Sequence, residues 1–129
     1  MAHEHQFDPD DPVLAQLREI CLALPSADEK VSHGRPAFFT KKIFAIYGGA
    51  TNGQNAARFD QSLVFKVDDD EQPALVQHRL VYTPMYWGPY GWLGYDLSDS
   101  PDWQEVAELV EDSFRQTANK TQIKALDER

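Results

Sequence analysis

The hydrophobic period of this chain changes twice, and that change limits the folds open to it. Asp11 followed by Pro12 is an N-cap and first-turn pair, and Leu14, Leu17, Ile20, Cys21 and Leu24 then recur at helical spacing until Pro25 stops the run. Ser100 and Pro101 make a second such pair. They precede a stripe of Trp103, Val106, Ala107, Val110 and Phe114, with Glu105, Glu108, Glu111 and Asp112 off it. Between the two helices the pattern is that of strands: Val31, Phe38, Phe39, Ile43, Phe44, Ile46 and Tyr47 favour extended backbone, and Leu63, Phe65 and Val67 alternate with Val64 and Lys66. An order of helix, strands, helix predicts an α+β fold, an antiparallel β-sheet with two main helices packed on one face.

Local punctuation supplies the rest. Ser26 to Lys30 reads as a short turn with capping-box spacing between Ser26 and Glu29. Gly34, Pro36 and Thr40-Lys41-Lys42 split the next stretch into two or three strands, with a tight turn near Lys41. Gly48 to Arg58 reads as a mobile loop or hairpin tip. Pro73 to Gln77 suits one or two helical turns, Arg79 to Tyr82 a short strand, Tyr86 to Gly91 an aromatic turn, and Thr121 to Leu126 a short last helix. The expected organisation is a flexible tail over 1–11, one domain over 12–120, and a short C-terminal helix or tail over 121–129.

A chain of 129 residues with 42% hydrophobic content can bury a core without disulfides or metal clips. No apolar stretch approaches the roughly 18 residues of a membrane span, and the N-terminus lacks the basic and apolar regions of a signal peptide. The one cysteine, Cys21, excludes an internal disulfide and suits a reducing compartment, so a cytoplasmic location is expected. No basic neighbour activates it as a nucleophile. With no Cys, His and carboxylate set in ligand spacing beyond His3 and His5, neither a metal nor a cofactor is expected. The Asp68 to Glu71 run lacks the alternate spacing and glycine turn of a calcium loop.

The net charge of −9 is unevenly distributed. Residues 1–29 carry −6 and residues 67–112 carry −10, while residues 30–66 carry +5, from Lys30, Arg35, Lys41, Lys42, Arg58 and Lys66 against Asp60 alone. An acidic total repels nucleic acid at long range, so contact with it requires a local basic face.

Several segments together resemble the YjbR/MmcQ-like proteins: Leu17 to Pro25, Ser32 to Phe39, Lys42 to Ala45, Leu63 to Lys66, Gly91 to Gly94, and Trp103 to Val110 with Ser113-Phe114-Arg115. The resemblance runs from about Leu14 to Lys120. It implies the CyaY-like fold, an antiparallel sheet backed by two helices, and a DNA-binding role in which hairpins act as paired wings. In many relatives a basic residue stands where this chain has Phe39. Likeness of fold to frataxin-type proteins does not carry iron chemistry with it.

The binding candidates are His33, Arg35, Lys41, Lys42, Lys66 and Arg79, with Tyr82 and Trp92 from the aromatic segment. Antiparallel strands can bring cations distant in sequence onto one face, where Arg offers forked hydrogen bonds and Lys point charges to phosphate oxygens. The alternative is that they are solvated edge and turn residues that keep the sheet from aggregating. Tyr82, Tyr86, Trp87, Tyr90 and Trp92 are able either to stack on bases or to pack at the end of the core. For catalysis, His33 as base with Arg35 or Lys66 as anion clamp has no nucleophile local in sequence, and no reaction class follows.

The expectation is therefore a binding protein that meets DNA or another anionic partner through a basic sheet and hairpin face. A small-molecule binder, or an unassigned enzyme with a pocket near His33 and the Tyr82–Trp92 segment, is the alternative. An interaction module using the acidic second helix is a third reading. A monomer is the simplest oligomeric state.

Overall fold

A computed structural model describes residues 7–53 and 56–129. Residues 1–6 of the proposed tail over 1–11, with His3 and His5, lie outside the described residues, as do Gln54 and Asn55 of the 48–58 segment. In chain order the elements are α1 (Pro12–Leu22), β1 (Asp28–Ser32), β2 (Arg35–Phe39), β3 (Ile43–Ala50), β4 (Arg58–Lys66), α2 (Gln72–Leu75), β5 (Val81–Tyr82), β6 (Trp92–Asp96), α3 (Trp103–Thr117) and α4 (Lys120–Asp127). A single 3-10 turn, Gly88–Tyr90, precedes β6. The fold is α+β, as the change of period predicts.

The six strands form one antiparallel sheet in the order β1-β2-β3-β4-β6-β5. On one face Phe38, Phe44, Tyr47, Leu63, Phe65, Leu93, Tyr95 and Leu97 meet Leu14, Leu17 and Cys21 of α1 and Val106, Val110 and Phe114 of α3, forming the main core. The helical stripes read from the sequence are thus the buried ones. Burial pushes the Cys21 thiol well above its usual range, which keeps it inert.

Asp11 caps α1 as expected, accepting from the Val13 amide at 2.9 Å. Its carboxylate also accepts from the buried Tyr47 hydroxyl at 2.6 Å and from Gln61, which ties the start of the helix to β3 and β4. At α3 the expected cap moves: Asp102, not Ser100, accepts from the amides of Gln104 and Glu105. Ser100 has φ of 48°, whereas a cap residue requires extended backbone.

Two other expectations shift in the same region of strands. The Ser26 to Lys30 stretch is a turn only at its start, because β1 begins at Asp28 and pairs with β2. Of Gly48 to Arg58, the first three residues belong to β3 and Arg58 to β4, with the described residues between them forming the hairpin loop; the β3–β4 register shifts between Tyr47 and Gly49.

The helix-free face carries a second, smaller core of Ala37, Ile46, Val64 and Trp92, with Ile43, Tyr82 and Trp87 packed against it. Residues 83–91 roof this core. They cross from β5 to β3, where the Met85 amide donates to Ala50 O at 2.8 Å, and return to β6 with Trp87 packed on Trp92.

Candidate functional site

Strand parity sorts the cations. Glu29 of β1 pairs with Arg18 of α1 at 2.7 Å, so Lys30, the next residue, faces the helix-free side. Ala37 and Val64 lie in the second core, which places Arg35 and Lys66 on that side as well. The three are not equivalent, because they stand at different ends of the sheet.

Arg35 belongs to the end that holds the β1–β2 turn. His33 and Gly34 form this two-residue turn with φ of 52° and 81°, the left-handed pair that a tight hairpin requires. His33 is exposed at its tip. The Arg35 guanidinium lies against Gly48, where a Cβ would collide with its Nη1, and it reaches Asp60 at 3.3 Å. Arg58 meets the same carboxylate at 3.1 Å. Arg79 stands beside the far edge of the sheet and faces Asp99 at 3.8 Å.

Lys41, Lys42 and Lys66 occupy the other end. Arg35 and Phe39 stand four positions apart along extended β2, about 13 Å at the rise of a strand. The turn beyond Phe39 holds Lys41 and Lys42, both exposed, with the Thr40 amide bonded to Lys42 O at 3.1 Å. Lys66 pairs in register with Trp92 and donates from Nζ to Tyr90 O at 3.2 Å. Lys30 Nζ sits 4.7 Å above the Phe39 ring, and so leans toward this end. Among the described residues, Lys30, Lys41, Lys42 and Lys66 have no carboxylate within ion-pair distance, whereas Arg18, Arg35, Arg58 and Arg79 each have one and Arg115 has two.

The aromatic candidates divide in the same way. Tyr82 is a packing residue: its ring stacks on Phe59 at 4.1 Å between centroids and fills the space left by Gly94 and Gly49. Its hydroxyl donates at 2.7 Å to Ser62 Oγ, whose own proton goes to Phe59 O. Burial pushes the Tyr82 phenol up to about 12, so it stays neutral. Trp92 is buried under Trp87, with ring centroids 5.0 Å apart. Tyr86 and Tyr90, in contrast, are 75% and 73% exposed.

A shallow cleft of about 270 Å³ is lined by Arg58, Phe59, Asp60, Gln61, Asp96 and Ser98. His33 and Trp92 do not line it. His33 lies at the β1–β2 turn and Trp92 beside Lys66, toward opposite ends of the sheet. No group of three or more metal-ligating side chains occurs among the described residues, and no described helix is long and apolar enough to cross a membrane.

Sequence reasoning placed the lysines in the basic block but missed which cations are neutralised. Arg18–Glu29, Arg35–Asp60 and Arg79–Asp99 join residues from different elements or loops, whereas Arg58–Asp60 and Arg115–Glu111 are local pairs. Tyr86 and Tyr90 were legible as part of an aromatic turn, but nothing local separates them from Trp87, which is the residue that turns inward.

The YjbR family model matches residues 22–116, well over half of the chain. Among solved structures, that of the Deinococcus radiodurans protein DR2400, which carries a DUF419 domain, is similar with a TM-score of 0.63 and 19% identity. The likeness covers 88% of this chain and 87% of that one, and at this identity it speaks for the fold. No curated protein matches the sequence.

Proposed function

The chain belongs to the YjbR family, and from that premise we propose that it is a non-enzymatic, cytoplasmic binding protein that meets nucleic acid through the lysine end of its helix-free face. One observation carries the reading. Four cations of the basic block, Lys30, Lys41, Lys42 and Lys66, lack carboxylate partners and stand on or beside one end of one sheet face. Unpaired ammonium groups keep their full charge for phosphate oxygens, whereas Arg35 and Arg58 already share Asp60. The contact surface is therefore narrower than the +5 block, and Arg79 and His33 drop out of it.

Net charge sets the conditions. At −9 the chain gains nothing from long-range attraction, so affinity is modest and falls steeply with salt. The test is a titration of a labelled DNA oligonucleotide over a salt series. Binding at low salt with a negative log-log slope is expected, and Lys41→Ala with Lys42→Ala should reduce that slope by roughly 2. A flat slope, an unchanged slope in the double variant, or no binding at low salt rejects the proposal.

A further inference from the structure

Tyr86 stands in a backbone conformation that tyrosine avoids. Its φ is 68°, and the Trp87 amide donates to Met85 O at 2.8 Å across it, which makes Tyr86 the centre of a tight γ-turn of the rare, strained kind. Such a position is strained unless glycine fills it, and strain of this sort clusters at binding sites. The turn nonetheless holds a ring that packs on nothing in the core and is 75% exposed. Trp87, next in the chain, turns inward onto Trp92 and anchors the roof. Four residues beyond Tyr86, the 3-10 turn presents Tyr90, 73% exposed. The carbonyl of Tyr90 receives the Lys66 ammonium.

We propose that the 83–91 roof is a stacking platform for the bases of single-stranded nucleic acid, with Tyr86 and Tyr90 offering ring faces and Lys66 the adjacent phosphate contact; this rests on the nucleic-acid reading above. The electrostatics favour single strands over duplex. Asp68, Asp69, Asp70 and Glu71 follow Lys66 closely and weaken any purely ionic attachment. Affinity then depends on an uncharged contribution, and base–aromatic stacking supplies one. Duplex bases already stack on one another and cannot use the rings, whereas bases of a single strand are free to do so.

The experiment compares oligo-dT, oligo-U and a DNA duplex of equal length by fluorescence anisotropy at low salt, using the full chain and Tyr86→Ala, Tyr90→Ala, Tyr86→Phe and Tyr86→Gly. Single strands should bind more tightly than duplex. Each alanine change should weaken single-strand binding by about tenfold or more while leaving duplex binding unaltered. Tyr86→Phe should keep its affinity, because the ring face and not the hydroxyl makes the contact. Tyr86→Gly should melt at a higher temperature than the parent yet bind single strands as poorly as the alanine variant, which separates the stacking role from a structural one. The two single-strand arms decide between DNA and RNA, tighter oligo-U binding indicating contacts to the 2′-hydroxyl. Salt-sensitive duplex binding that is at least as tight as single-strand binding and indifferent to both tyrosines would overturn the stacking platform and leave the lysine surface standing. No binding by any of the three nucleic acids would overturn both.

Discussion

Tyr82 lies across Gly94 of the neighbouring strand so closely that a Cβ at position 94 would collide with its ring atoms Cε1 and Cζ. The two are partners in the β5–β6 register. The ring also stacks on Phe59 and closes one end of the second core. Gly94→Ala is therefore an overpacking change, expected to lower stability by about 2 kcal/mol in urea unfolding. In a Tyr82→Ala background the same substitution should cost well under half as much, since the ring it meets is gone. A cycle with no coupling between the two positions would contradict the packing described.

Asp11 links acid stability to the start of α1. Burial works to raise its pKa, but the hydrogen bonds from Tyr47, Gln61 and the Val13 and Leu14 amides outweigh this and hold it below its ordinary value. A carboxyl with a depressed folded pKa stabilises the protein above its unfolded pKa of about 3.9, and the contribution is lost as pH falls through the lower folded value. Asp11→Ala removes a helix cap and takes away the acceptor of the buried Tyr47 hydroxyl proton, at a cost of about 2–3 kcal/mol near neutral pH. The gap between parent and variant should narrow on acidification below about pH 4. Urea midpoints at pH 7 and pH 3 measure it, and a gap of constant size would assign the effect to packing and not to the carboxylate.

Ser113 is the polar bolt between α3 and the sheet. Its buried hydroxyl donates to Phe44 O at 2.6 Å and accepts from the Lys66 amide at 2.9 Å. Ser113→Ala leaves two backbone groups of β3 and β4 without this partner. A loss of about 2 kcal/mol is expected even though alanine is the better helix former. Faster hydrogen exchange at the Lys66 amide should accompany it, and an unchanged exchange rate would contradict the bridge.

Thr40 carries a buried hydroxyl oxygen with no hydrogen-bond partner among the described residues, in the turn that presents Lys41 and Lys42. Valine has the same shape without the oxygen. Thr40→Val should therefore raise stability by about 1 kcal/mol, because it removes an uncompensated desolvation cost. Lower thermal stability in this variant would show that the hydroxyl is satisfied in solution.

The helices and their buried faces were legible because both signals are local. The Asp11 carboxylate needs only the next few amides to cap α1, and the Leu14, Leu17, Cys21 stripe follows from 3.6 residues per turn. The cap of α3 was misread within the same short window, since Ser100 and Asp102 are both capable caps and only the backbone decides between them. The strand pattern of 63–67 predicted one buried face, and the sheet placed Leu63 and Phe65 there, but Val64 on the other face is buried as well, in the second core that no alternation announced.

The amino-acid order alone determined the sequence of elements, the apolar faces that had to meet, and the concentration of positive charge in the middle of an acidic chain. Tertiary structure decided which of those charges remain unpaired. Arg35 of β2 meets Asp60 of β4 across β3, where Gly48 leaves room for the guanidinium, while Lys41, Lys42 and Lys66 sit at the opposite end, away from that carboxylate. It also decided that Trp87 turns inward and that Tyr86 and Tyr90 stay out. Periodicity along a chain records neighbours a few residues apart, and these partners are set by strand register across the sheet, which no local pattern contains.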